Sequence, residues 1–168
     1  YKRQARYIAN RSSGKQGHAI ANALAHLGAE TTLVSGPSSE PDPFGVSVVH
    51  VQSAREMLLA CNNALPADIL VCAAAVSDWR TNKVSQSKLK KNGAGQNVLK
   101  LILNPDILGT LSKPSNKRPS LVVGFAAGTD NIIAHATKKR ESKGCDWILA
   151  NDVSDKTDTF GGENNTIN

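Results

Sequence analysis

The stretch YIANRSSGKQGHAIANAL, residues 7–24, contains strand formers, a turn rich in serine, and a helical pattern, in that order. Tyr7 and Ile8 favour a strand, and RSSG at residues 11–14 favours a turn. Apolar residues then recur at the spacing of one helical face, at Ala19, Ile20, Ala23, Leu24 and Leu27. This order collects backbone N–H groups and the positive end of a helix dipole at one point. The stretch therefore predicts an anion site where the helix begins.

The rest of the chain alternates β-branched runs with amphipathic runs. Strands are predicted at residues 31–36, 46–51, 68–76, from about 99, at 120–127 and at 146–152, and further helices at 53–65, from 104 and at 131–144. Ser53 and Glu56 form a capping box, and DILVCAAAV at 68–76 is typical of a strand buried on both faces. This alternation predicts an α/β, Rossmann-like, doubly wound, mostly parallel sheet with helices on both faces.

Residues 77–98 interrupt this rhythm, because they have no clear period and are rich in Lys, Ser, Asn and Gly. The lysines that crowd this segment are Lys83, Lys88, Lys90 and Lys91. The segment is interpreted as a long lysine-rich flap, either a solvated loop or a phosphate-binding lid. After the next strand, Asn104 is predicted to cap a helix, with Pro105 as its first residue and Asp106 in its first turn.

Composition limits the classes of function. A chain of 168 residues favours one domain, and the net charge of +6 favours an anionic partner such as a nucleic acid, a nucleotide or a phosphorylated metabolite. No apolar run approaches the roughly 18 residues of a membrane span, so we expect no membrane association and a cytoplasmic protein. The three cysteines, Cys61, Cys72 and Cys145, are interpreted as buried thiols, and the scattered histidines assign no metal ligand.

Polar or small residues follow several predicted strands, and carboxyl ends of parallel strands meet at one edge of a sheet. These residues lie at 10–17, 74–78, 104–107, 125–129 and 151–152. The alanines before Asp78 would let a planar ring lie close to the backbone. The GxxG at residues 14–17 is neither a Walker A loop nor GxGxxG, and no acidic residue marks a ribose site, so NAD is disfavoured. One extended anion-binding site is predicted at this edge.

The motifs RYIANRSSGKQGHAIA, LVSGP, CAAAVSDWR, KLKK with LILNPDIL, VVGFAA, KGCDWILANDVS and FGGENN occur in this order. In that order they resemble phosphopantothenoylcysteine synthetase, the phosphopantothenate-cysteine ligase half of the bacterial bifunctional coenzyme A biosynthesis protein, over nearly the whole chain. The resemblance implies that 4′-phosphopantothenate attacks the α-phosphate of CTP, with Mg²⁺ present, giving an acyl-cytidylate and pyrophosphate. L-cysteine then displaces CMP to form 4′-phosphopantothenoylcysteine. It also implies a cytoplasmic homodimer, with a flavin-dependent decarboxylase domain in the full-length protein and no nucleic acid partner.

The resemblance also implies roles for individual residues. Asn10 matches the Asn that orients the acyl intermediate, and Lys88 matches the first flap lysine, which neutralises the reacting phosphates; these are the catalytic residues. The residues implied to bind the nucleotide are Ser12, Gly14, Gly17, Ala74, Ala75, Asp78, Lys88, Asn104, Pro105, Asp106, Ile107, Phe125, Lys139 and Lys143. The residues implied to bind substrate are Asn10, Ala75 and Asn151.

The chain departs from the family pattern at some points. A first strand with a TAGPT turn is expected before Arg6, and a final strand after Asn168, so residues 1–168 are interpreted as a single nucleotide-binding ligase domain lacking both strands. Gly128 stands where the family carries Glu. Two alternatives stay open: the same ligation with ATP, and a non-catalytic basic module that binds nucleotides or RNA, although aromatic residues for base stacking are few.

Overall fold

The computed structural model describes residues 8–10, 12–83, 98–128 and 130–152. The helices within these ranges are α1 (Lys15–His26), α2 (Ala54–Asn63), α3 (Ile107–Leu111) and α4 (Ile132–Lys143). The strands are β1 (Thr32–Ser35), β2 (Ser47–His50), β3 (Ile69–Cys72), β4 (Trp79–Thr81), β5 (Leu101–Leu103), β6 (Leu121–Gly128) and β7 (Trp147–Asp152). None of the helices in the described ranges has the length and apolar character that a membrane span requires.

The strands pair mainly in parallel. Strand β1 pairs with β2, and β6 lies between β3 and β7, in both cases with parallel register. Strands β4 and β5 form a separate antiparallel pair in which Trp79 lies opposite Leu103. The predicted α/β fold with mainly parallel strands is therefore confirmed.

The core lies where the helices cover β6. Val122 is fully buried and packs with Leu108 of α3 and with Cys145. A Cβ added to Gly124 would lie 2.6 Å from Leu108 Cδ2 and 2.8 Å from Ile148 Cδ1, so any larger residue here would require both side chains to shift. This packing fixes α3 against the sheet, and with it the polar residues that precede α3.

Strand β3 is shorter than predicted. It ends at Cys72, the last residue that pairs with β6, and the chain then leaves the sheet. The backbone turns tightly, with Val76 N–H donating to Ala74 O at 3.0 Å, and both Ala74 and Ala75 are exposed. The prediction of a strand through residue 76 was wrong, because an apolar run of alanines carries no signal that distinguishes a strand from a turn.

Two further boundaries differ from the prediction. Part of the segment predicted to be irregular forms β4. Helix α3 begins at Ile107, and its N-cap is Asp106, whose Oδ1 accepts from Gly109 N at 3.0 Å. Asn104 does not cap this helix because its amide donates instead to Ser77 O at 2.7 Å.

The starts of α1 and α2 agree with the sequence. Helix α1 begins at Lys15, and Ser53 caps α2 by accepting from Glu56 N at 3.3 Å. The buried face of α1 differs from the predicted one. Ala21 and the polar His18 are buried, whereas Leu27, which follows the last helical residue, is 84% exposed.

Candidate functional site

The turn before α1 is open and has no competing carboxylate. Gly14 has φ +84°, a left-handed conformation that favours glycine, and it offers no side chain to cap the helix, so the N–H of Lys15 donates instead to Ser13 Oγ at 3.3 Å. The first turn contains no acidic residue, and a Cβ added to Gly17 would meet nothing within 4 Å. Ser12 lies exposed in the same turn. Helix N-termini of this kind bind phosphates.

Asn10 connects this turn to the loop after β3. Its Nδ2 donates to Val76 O at 3.1 Å, across 66 residues of sequence. The loop carries three residues predicted to bind the nucleotide, Ala74, Ala75 and Asp78, and all three are exposed. The structure thus brings Asn10 and these residues together, with small side chains beside the backbone.

Asn104 holds the other side of the same loop. Its backbone N–H donates to Asp78 O at 2.8 Å, and its Nδ2 donates to Ser77 O at 2.7 Å and to Trp79 O at 3.3 Å. Loop residues 77–79 are therefore fixed between β3 and β5 by a single asparagine. This role explains why an Asn precedes Pro105, and sequence reasoning had interpreted it as a helix cap.

Two lysines of α4 point to neighbouring oxygens. Lys139 Nζ donates to Phe125 O at 2.8 Å, and Lys143 Nζ pairs with Asp106 Oδ2 at 2.7 Å. Partial burial of Asp106 favours the protonated acid, but the hydrogen bonds from Lys143 and Gly109 and the nearby lysine charges hold the pKa of Asp106 below its ordinary value. The carboxyl group is therefore ionised, and both lysines have oxygen partners in this structure.

Asn151, at the end of β7, faces the start of α1. It is 8% exposed, and its Nδ2 donates to Gln16 Oε1 at 3.3 Å. Its Oδ1 is buried and has no hydrogen-bond partner in the described part of the chain. A buried acceptor without a partner is uncommon in proteins and marks a position where a bound donor would be favourable.

His18 is a residue of this region that sequence reasoning missed. It is 8% exposed, and its Nδ1 lies 2.9 Å from Gly14 O, so Nδ1 carries the proton that it donates. Its Nε2 is buried without a partner among the described residues. The available signal was the spacing of four residues between Gly14 and His18, which lets the ring bond the carbonyl of the turn.

The three cysteine thiols of the chain are protonated. Burial is the main cause that raises the pKa of Cys72 to about 12 and also raises the pKa values of Cys61 and Cys145, so these thiols stay protonated at neutral pH. In the ranges that the structure describes, no group of three His, Cys, Asp or Glu side chains is arranged to hold a metal ion. The cysteines therefore supply no thiolate nucleophile at neutral pH.

Most of the residues predicted from the sequence to form the site lie in this region or beside it. Those that meet at it are Asn10, Ser12, Gly14, Gly17, Ala74, Ala75, Asp78, Asn104 and Asn151. Lys139, Lys143, Asp106 and Phe125 form the adjoining group, and Pro105 lies between Asn104 and Asp106. Ile107 is 9% exposed and packs into the core with Met57 and Leu111. Lys88 lies outside the described residues.

We call this region the carboxyl edge: the ends of β3, β6 and β7, the turn before α1, and the residues from Asn104 to Asp106. Its walls include small residues, Asn151 Oδ1 and His18 Nε2 are buried there without partners among the described residues, and its cations come from α4. Such an edge can hold a polyphosphate at the helix start and a planar group beside the alanines.

Residues 4–168 match the family model described as the DNA/pantothenate metabolism flavoprotein C-terminal domain. The chain is 43% identical over 164 residues to the coenzyme A biosynthesis bifunctional protein CoaBC of Vibrio parahaemolyticus. The aligned region covers 96% of this chain and 41% of that protein. It is 44% identical over 165 residues to CoaBC of Escherichia coli (strain K12), with coverages of 96% and 40%. The chain thus spans about 40% of the length of these curated relatives.

Solved structures show the same fold. The C-terminal domain of CoaBC superposes with a TM-score of 0.74 at 39% identity, covering 88% of this chain and 69% of that chain. The DNA/pantothenate metabolism flavoprotein from Streptococcus pneumoniae gives a TM-score of 0.74 at 22% identity, covering 92% and 78%, and shows the fold alone. Since the family model spans residues 4–168, the chain belongs to the DNA/pantothenate metabolism flavoprotein C-terminal domain family, as its motifs indicated.

Proposed function

We propose that this chain is a ligase domain of coenzyme A biosynthesis that joins 4′-phosphopantothenate to L-cysteine at the expense of CTP. The observation that carries the proposal is the convergence at the carboxyl edge of a helix start whose N-cap residue is glycine, the Asn10 and Asn104 amides and the α4 lysines. The names of the curated relatives report a role in coenzyme A biosynthesis. Those relatives are much longer than this chain, so their activity is carried over as part of the proposal.

The proposed reaction has two steps. A carboxylate oxygen of 4′-phosphopantothenate attacks the α-phosphorus of CTP, the bond to the bridging oxygen breaks, and pyrophosphate leaves. The amine of cysteine then attacks the acyl carbon, the carbon–oxygen bond to CMP breaks, and the amine loses a proton as the amide forms. Both steps depend on positioning and on charge neutralisation, and neither needs a protein nucleophile. The protonated, buried thiols agree with that requirement.

The residues of the carboxyl edge take distinct parts in this scheme. The N–H groups of the first turn of α1, with Ser12 beside them, hold phosphate, and Gly17 keeps the approach open. Asn10, held by Val76 O, orients the acyl intermediate for attack by cysteine. Lys139 and Lys143 can leave Phe125 O and Asp106 for a more highly charged phosphate. Lys88 is proposed to neutralise the reacting phosphates from the flap.

Magnesium would enter this site with the nucleotide. Mg²⁺ prefers oxygen ligands and in nucleotide sites is held by one or two carboxylates together with phosphates. Asp78 fits that role because it is exposed at the edge. When bound, the ion would supply neutralisation of phosphate charge.

Because the relatives are bifunctional, we propose that the full-length protein also carries a flavin-dependent decarboxylase domain, and that the ligase works as a cytoplasmic homodimer. In the proposed complex, the base of the nucleotide lies beside backbone groups near Ala74 and Ala75. These groups do not by themselves distinguish CTP from ATP. The choice of nucleotide is therefore one arm of the experiment.

The test is pyrophosphate release and CMP formation with 4′-phosphopantothenate and Mg²⁺, with CTP or ATP, with and without cysteine. We expect turnover with CTP, loss of turnover in Lys88→Gln, and accumulation of the acyl-cytidylate in Asn10→Asp. Lys139→Gln should raise the KM for CTP, while Lys138→Gln, an exposed neighbour on the same helix, should not. A folded protein that releases no pyrophosphate with either nucleotide would contradict the proposal.

A further inference from the structure

The turn before α1 is contacted by the loop that connects β1 to β2. Ser38, in this loop, donates from its Oγ to Ser13 O at 2.8 Å, across 25 residues of sequence. The same hydroxyl oxygen accepts from Glu40 N at 3.1 Å, so the loop itself fixes the position of the hydroxyl group. The turn and the loop are therefore joined through the Ser38 side chain.

Ser38 also packs directly against the turn. A Cβ added to Gly14 would lie 2.6 Å from Ser38 Oγ and 3.1 Å from Ser38 Cβ. Both distances are shorter than the roughly 3.5–4.0 Å at which nonbonded carbon atoms pack best. Ser38 thus occupies the space that a larger side chain at residue 14 would take, and the turn has little room to move toward the loop.

His18 holds the same turn from within α1. Its ring Nδ1 donates to Gly14 O at 2.9 Å, and its backbone N–H donates to the same oxygen at 3.1 Å. His18 is buried, so packing around α1 keeps its ring in place. The carbonyl groups of Ser13 and Gly14 are therefore both fixed, the first by the loop and the second by the helix.

The direction of the Ser13 carbonyl determines where the next N–H group points. A trans peptide unit is planar, and its C=O and N–H point to opposite sides. The Ser13–Gly14 peptide bond is trans, so the Gly14 N–H points away from Ser38 while Ser13 O is held toward it. Within the described ranges, the N–H groups of Gly14, Gln16 and Gly17 have no hydrogen-bond acceptor.

We propose that Ser38 is a positioning residue for phosphate binding at the start of α1. It holds the turn so that the Gly14 N–H, with those of Gln16 and Gly17, is directed toward the phosphate, while its own hydroxyl proton stays on Ser13 O. This role rests on the proposed function, which assigns the phosphates of CTP to this turn. A turn that already has its binding geometry loses less freedom when the ligand arrives, and this increases affinity.

The test is calorimetric titration of the chain with inorganic tripolyphosphate, a probe that carries the phosphate groups without base or ribose. Ser38 is exposed, so its replacement should not prevent folding. Ser38→Ala should weaken binding by about fivefold, the usual scale for losing one hydrogen bond, and Ser38→Thr, which keeps the hydroxyl, should bind as the original chain does. Ser47→Ala removes an exposed hydroxyl at the amino end of β2, beyond this loop, and is the matched control.

The outcomes separate the role of Ser38 from the proposed function. If the original chain binds tripolyphosphate and Ser38→Ala binds it equally well, or if Ser38→Thr binds as weakly as Ser38→Ala, the role of Ser38 is overturned and the proposed function is not. If the original chain does not bind tripolyphosphate, phosphate does not bind at this turn and the role of Ser38 is overturned with it; turnover with CTP then decides the proposed function separately.

Steady-state kinetics distinguish positioning from a purely structural role. Ser38→Ala should raise the KM for CTP by about fivefold and leave the KM for cysteine unchanged. A loss of folded protein would lower the measured rate without changing either KM. A lowered thermal stability with both KM values unchanged would therefore overturn the proposal.

Discussion

The two ends of the β6–β7 pair use polar residues in opposite ways. At the amino ends, Arg118 and Asp146 satisfy each other and the surrounding backbone. At the carboxyl ends, Asn151 keeps a buried oxygen without a partner, and the nearby His18 keeps a buried nitrogen without one, among the described residues. The same pair of strands therefore ends in a closed network on one side and in unused hydrogen-bonding capacity on the other.

The amino end of the β6–β7 pair is held by a network of hydrogen bonds. Arg118 Nε donates to Ser112 O at 2.8 Å, its Nη1 to Pro119 O at 2.8 Å, and its Nη2 to both oxygens of Asp146 at 3.0 Å. Asp146 Oδ2 also accepts from Val122 N at 2.7 Å. The Val122 N–H and the Arg118 guanidinium hold the pKa of Asp146 below its ordinary value.

We infer that the amino end of the strand pair contributes to stability and that the carboxyl end contributes to ligand binding. A closed network adds to the free energy of unfolding, since removing one member leaves the others unpaired. Unpaired groups contribute little to folding and become useful when a ligand arrives. Substitutions at the two ends should therefore change different measured quantities.

The largest expected effect lies at the amino end. Arg118→Leu removes the donor of three carbonyls and leaves the Asp146 carboxylate with only the Val122 N–H, so the free energy of unfolding should fall by about 2–3 kcal/mol. Chemical denaturation measures this change. Turnover per folded molecule should be preserved. An Arg118→Leu variant of unchanged stability would contradict the stabilising role of the amino end.

Asn151→Leu at the carboxyl end should give the reverse result. The side chains are similar in size and only a 3.3 Å hydrogen bond to Gln16 is lost, so stability should change by less than about 1 kcal/mol. The KM for nucleotide or substrate should rise by about tenfold, because one polar contact is lost on binding. Steady-state kinetics beside denaturation checks both; an unaltered KM would place Asn151 outside the site.

The two glycines of the α1 turn offer a sharper contrast. Gly14→Ala puts a Cβ at φ +84° and 2.6 Å from Ser38 Oγ, so it should cost about 1–2 kcal/mol of stability. Gly17→Ala meets nothing in the protein and should stabilise the helix by up to about 1 kcal/mol. If the open space beside Gly17 receives phosphate, Gly17→Ala should still weaken nucleotide binding by calorimetry; tight binding would show that phosphate lies elsewhere.

The smallest expected effect concerns Asp106. Its pKa is lowered in the folded protein, so the ion pair with Lys143 stabilises the fold above the ordinary carboxyl pKa, and that stabilisation is lost as pH falls through the lowered value. Lys143→Gln should raise the pKa of Asp106, as measured by carboxyl NMR titration. Lys138→Gln is the matched control, and equal titration curves in the two variants would refute the ion pair.

Much of this organisation could be predicted from sequence. The turn before α1, the Ser53 cap and the strand at β6 follow from turn chemistry, capping and apolar runs, which are local signals. The last residue of β3 and the first residue of α3 could not be predicted. The former depends on which residues pair across the sheet, and the latter on the hydrogen bond from Asn104 to a loop 27 residues away. His18 was missed for a similar reason, since its burial depends on the neighbours of α1 and not on α1 itself.

The central claim is that the carboxyl edge receives the nucleoside triphosphate, and an amide NMR titration of the labelled chain with CTP and Mg²⁺ tests it most directly. We expect saturable shifts at Gly17, Ala75 and Asn151, with Val122 and Asp146 at the amino end unchanged. Shifts that cluster at the amino end, or saturable binding that leaves the carboxyl edge unchanged, would contradict it.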